Sequence, residues 1–136
     1  MRDLVLYAHI IIGALLILLP MWIIIEMKRP SSLVKPLATV TAVLSWLELV
    51  PAGILYLVFY PATKTLIKAG SWPWAHSIIM ETKEHWGLFL PVIATTAAWL
   101  VLAGKNEESK KWWVLLAALA LMIGIFGRVV KMGAGA

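Results

Sequence analysis

Cysteine is absent from the chain, which removes structural disulfides, thiolate metal sites, iron–sulfur clusters and cysteine nucleophiles together. Charge is scarce as well: 14% of the residues are Asp, Glu, Lys or Arg, against about a quarter in an ordinary soluble domain. Glutamine is missing and Asn106 is the only asparagine, a depletion of labile residues expected of a thermophile, although six methionines run against it. No phosphate-binding loop, nucleophile elbow or nucleic-acid motif occurs along the chain.

What is abundant is apolar surface. Hydrophobic residues make up 62% of the 136 positions, and the mean hydropathy is +0.89. That balance excludes a water-soluble globule, and the length suits a single domain over residues 1–136. The net charge of +5 is then read as basic loops meeting anionic lipid headgroups, with no nucleic acid as partner.

A bilayer core takes about 20 mostly apolar residues per helix. Residues 4–27, 37–60, 77–104 and 112–130 meet that requirement, so the expected fold is all-α: an integral membrane four-helix bundle with both termini on the same side. The expected location is a prokaryotic cell membrane. The first span is too long for a signal-peptide core and runs straight into Glu26-Met27-Lys28-Arg29. The short polar links at Lys28–Ser32 and Lys105–Lys111 make spans one and two, and spans three and four, antiparallel neighbours. Pro61 to Trp74 reads as a longer irregular loop, and Gly133–Ala136 as a frayed tail. Trp22, Trp72, Trp74, Trp86, Trp112 and Trp113 fall near span ends, as an aromatic belt requires. Arg2, Lys64, Lys68, Lys83, Arg128 and Lys131 on one side balance Lys28, Arg29, Lys35, Lys105, Lys110 and Lys111 on the other, so the positive-inside rule selects no orientation.

Ionisable residues inside a membrane are costly and default to functional candidates. His9 lies early in the first span, and His85 heads the third, which runs parallel to it. Two imidazoles entering from one face at similar depth suggest axial ligands of a haem iron. Gly13, one turn from His9, would let a flat macrocycle approach the backbone, and Arg128 could hold a haem propionate bidentately. His76 is nine residues from His85, hence on the opposite helix face, and is placed in the headgroup zone as the lesser ligand candidate. Glu81 and His85, one turn apart, would with His9 offer a bare metal three N/O ligands. Glu48 stands close to mid-membrane in Ser45-Trp46-Leu47-Glu48-Leu49-Val50-Pro51. It reads either as a proton or cation site, or as a neutral acid bonded to the Leu47 carbonyl that Pro51 leaves without a donor. Pro20 and Pro91 are expected to kink their helices.

The His9-x-x-x-Gly13 start of span one, with a second histidine heading span three, resembles small four-helix membrane b-type cytochromes. The chain also resembles small four-span families related to copper-resistance membrane proteins, which share an early helix-one histidine. The cytochrome resemblance implies haem b and electron transfer, with quinone as a redox partner. Three histidines, two of them on opposite faces, limit the chain to one haem. The leading expectation is therefore a one-haem cytochrome or haem-bearing subunit. The alternatives are a non-catalytic subunit of a larger membrane complex or homo-oligomer, and a small transporter or channel built around Glu48.

Overall fold

The computed structural model describes residues 1–135, and Ala136 lies outside them. Four long helices account for most of the chain: α1 (Arg2–Glu26), α2 (Val34–Ala69), α3 (Ala75–Leu102) and α4 (Asn106–Gly135). All four are long and apolar enough to cross a membrane, with mean window hydropathies of 2.6, 1.9, 1.5 and 2.3. Their outer faces are as greasy as their inner ones: Leu57, Trp99 and Leu18 are 73%, 71% and 60% exposed. A helix apolar all round is stable only where its surroundings are apolar too.

The helices pack in an up-and-down square. α1 lies against α2 and α4, α3 lies against the same two, and α1 and α3 do not approach each other. The main core runs through Leu16 and Ile23 of α1, Ala38 of α2, Ala97 of α3, and Trp113 and Leu116 of α4. Ala94, Ala97, Ala98 and Val101 make α3 narrow on its buried side, which lets neighbouring backbones approach closely. The small-residue face of α3 thus serves helix packing.

Three local expectations are corrected. Residues 61–69 are not a loop: Tyr60–Ala69 continues α2 as helix, entered through the π-helical turn Leu55–Phe59, where Tyr60 N–H bonds the Leu55 carbonyl, and Ile67 is fully buried. The link to α3 shrinks to residues 70–74. The tail does not fray before Gly135, since α4 extends that far with Gly133 buried. A Cβ on Gly133 would stand 2.8 Å from the Ala75 Cβ, so glycine is what permits α4 to close on the start of α3. Pro20 lies within an unbroken α1, whereas Pro91 accompanies an interruption at Leu88. A matching interruption falls at Glu48, three residues before Pro51, where the missing proline N–H leaves the carbonyl four residues back without a partner.

Two segments are wound as π-helix, Leu55–Phe59 in α2 and Ala75–Met80 in α3. Such turns are rare and tend to mark functional positions. Here they lie beside a second, smaller core of Tyr60, Ile67, Ala75, Met80 and Val130.

Candidate functional site in the bundle interior

Glu48 occupies the interruption in α2, with backbone angles of −60° and −27°. It is 7% exposed. Its Oε1 lies 2.5 Å from Nδ1 of His9 on α1. The two side chains are in direct polar contact across the α1–α2 interface. The second carboxylate oxygen, Oε2, is buried with no hydrogen-bonding partner at all. Gly13, one turn along α1 from His9, forms the wall here: a Cβ at that position would sit 3.8 Å from Glu48 Oε1. That is an ordinary van der Waals contact, so Gly13 lines the carboxylate without being required for its space.

The third member is Lys83 of α3. Its side chain is 11% exposed and its Nζ lies 3.4 Å from Oε1 of Glu84. Its Cε comes within 3.4 Å of the position a Cβ on Gly127 of α4 would take. The ammonium is within electrostatic range of Glu48. Three helices thus bring polar side chains to the interior, His9, Glu48 and Lys83, with Lys83 Cε packed against Gly127 of α4.

A second cluster gathers at the two π-helical segments. His76 is 7% exposed, and its Nδ1 lies 2.9 Å from the Tyr60 hydroxyl. The Nε2 of His76 is 3.7 Å from Oε1 of Glu81, to which the Tyr56 hydroxyl donates at 3.5 Å. A neutral imidazole protonated on Nε2 satisfies this arrangement, with Tyr60 donating to Nδ1 and the ring N–H facing the carboxylate. The rings of Tyr56 and Tyr60 stack at 5.6 Å.

At the opposite end of the bundle the Glu26 carboxylate closes α1. It accepts from Ser31 Oγ at 2.6 Å, Arg29 Nη2 at 3.1 Å and Trp22 Nε1 at 3.2 Å. Both of its oxygens have partners, so Glu26 reads as a structural cap.

The haem pairing does not fit these side chains as they stand: His9 is engaged by Glu48, and His85 is exposed on the outer face of α3, its Nδ1 2.6 Å from the Glu81 carbonyl oxygen of its own helix. Of the other two histidines, His76 is buried by its neighbours and His85 is exposed, the reverse of what their ranking as ligand candidates required. Packing of α2 and α4 over Ala75–Met80 is what covers His76. Arg128 is exposed on α4. Among the described residues no group of three His, Asp or Glu could hold a metal ion; the Glu81 carboxylate turns toward His76 and Tyr56, away from any set with His85 and His9. Glu48 does not bond the Leu47 carbonyl, its oxygens being accounted for above.

Two contacts lay beyond sequence reasoning, His9 with Glu48 and His76 with Tyr60. The available signals were the i,i+4 spacing of His9 with Gly13 and of Tyr56 with Tyr60, each placing its pair on one helix face. No family model, curated protein or solved structure matches this chain.

Proposed function

We propose that this chain is an integral membrane protein, both termini on one side of the bilayer, that acts as a small ion transporter or channel unit with Glu48 as its ion-binding group. The observation that carries the reading is the Glu48 carboxylate itself. It is buried in the apolar half of a spanning helix, one oxygen held by His9 and the other open. A carboxylate held unsatisfied in such surroundings is destabilising unless it takes up a proton or a cation in use. A merely structural acid is expected to have all its oxygens bonded, as Glu26 does.

Reconstitution into vesicles holding a pH-sensitive dye, with a potassium diffusion potential as driving force, tests this. Glu48→Gln is expected to abolish flux while leaving a folded, monodisperse protein. Wild-type flux in Glu48→Gln, or no flux in the wild type under any imposed gradient of protons, sodium or potassium, overturns the proposal.

A further inference from the structure

Polar groups are arranged in order along the bundle, buried at its two ends (His76, Glu48) and partly exposed between them (Glu81, Glu84). Starting at the α2–α3 link, Tyr60 and His76 come first, then Tyr56 and Glu81, then Glu84 with Lys83, and last Glu48 with His9. α2 descends through residues 60, 56 and 48 as α3 ascends through 76, 81 and 83, so each pair occupies a deeper level than the one before. Twelve residues separate Tyr60 from Glu48, about 18 Å of helix at 1.5 Å per residue. The apolar lining elsewhere in the core contains no comparable line. Both π-helical segments fall at the outer two levels.

We infer that the transferred ion is the proton, and that the Tyr60–His76–Glu81 cluster relays it toward Glu48; this rests on the transport reading above. Two features favour a proton over a metal cation. Glu48 supplies the only carboxylate at its level, whereas a bare alkali ion needs several oxygen ligands. The neighbouring imidazole and the Lys83 ammonium would repel a metal cation or offer it nitrogen alone.

The relay step balances without a co-reactant. Tyr60 gives its hydroxyl proton to Nδ1 of His76 as Nε2 gives its own to the Glu81 carboxylate, and water at the end of the bundle returns a proton to the Tyr60 oxygen. One proton enters and one arrives at Glu81, and the imidazole ends as its other tautomer. The 3.7 Å gap to Glu81 is closed by a small side-chain rotation or by one bridging water. The charged and titratable groups facing His76 are Tyr60, Lys64 and Lys68 from α2 and Glu81 from α3. α4 presents Val130 and Ala134, which carry no charge.

Tyr60→Phe and Glu81→Gln remove one relay group each and keep the side-chain volume, with Glu48→Gln as reference. Vesicle flux is measured beside a second readout: the rate at which the Glu48 carboxylic-acid infrared band appears after a pH jump. Both variants are expected to slow that band by about a hundredfold, the low end of what a positioned proton-transfer group contributes. Its final intensity should be unchanged, and flux should fall in parallel. Wild-type band kinetics in both variants overturn the relay, even if Glu48→Gln still abolishes flux. Slowed band kinetics in the variants, with no flux from the wild type, support the relay and sink the transport reading alone. Should Tyr60→Phe fail to fold, His76→Gln carries the same test.

Discussion

His9 of α1 and Glu48 of α2 meet in the bundle interior, Nδ1 to Oε1 at 2.5 Å, and neither group has another partner there. Each is therefore the other's direct polar neighbour. His9→Leu and Glu48→Leu should each destabilise the protein, and the double variant should lose less than the two losses added together. A coupling energy of about 1–3 kcal/mol is expected, the range found for groups in direct contact. Unfolding of the four proteins in mixed detergent micelles measures it. Additivity to within about 0.5 kcal/mol would mean the pair is a coincidence of packing.

The approach of α4 to α3 at Gly133 makes a second expectation. The added methyl of Gly133→Ala would meet the Ala75 Cβ at 2.8 Å, and neither side is a flexible chain end that can swing away. Overpacking of this kind costs about 1–3 kcal/mol. The compensating pair Gly133→Ala with Ala75→Gly should recover most of it. Thermal unfolding in detergent decides, and a neutral single substitution would show that the two helix ends are not in contact.

His85 faces outward and is held only by its own helix. His85→Ala is therefore expected to change stability by no more than about 0.5 kcal/mol. For the same reason, the purified protein expressed with haem available should show no b-type band in its reduced-minus-oxidised spectrum. A band near one haem per chain, lost in His9→Ala and in His85→Ala, would overturn the placement of both imidazoles.

The lack of cysteine makes topology directly measurable. Ser32 in the α1–α2 link and Ser71 in the α2–α3 link are both exposed. In sealed cells or spheroplasts, Ser32→Cys and Ser71→Cys should react with a membrane-impermeant maleimide from opposite sides. Reaction of both from the same side would remove α2 as a spanning helix.

The number of helices and their antiparallel neighbours were legible in the sequence because hydropathy over some 20 residues and a short polar link leave few alternatives. Helix ends were less so. Pro61, Lys64 and Lys68 look like loop chemistry, yet the π-helical turn just before Pro61 accommodates it and the lysines lie along a helix whose other side buries Ile67. Glu48 stood out on its own, since a carboxylate within an apolar run is conspicuous. Its partner did not. Pairing His9 with His85 followed from their entering on one face at one depth, but in an up-and-down bundle the neighbours of a helix are antiparallel to it. Two parallel helices therefore lie on a diagonal. Depth was readable, whereas azimuth was not. His76 illustrates the same limit: what buries it is the arrival of α4, 50 residues further along, against the π-helical start of α3.

α2 is 36 residues long, which at 1.5 Å per residue is about 54 Å of helix, while lipid hydrocarbon is only about 30 Å thick. No ordinary tilt absorbs that difference. In the membrane placement proposed above, with the Glu26 cap at one boundary, the segment beyond Ile54 emerges on the other side, carrying the Tyr60, Ile67, Ala75 and Val130 core with it. On that placement lipid chemistry governs the larger core and water chemistry the smaller. Urea, which acts from the aqueous phase, should loosen the emergent knot before it touches the buried carboxylate. A change of acyl-chain length should do the reverse.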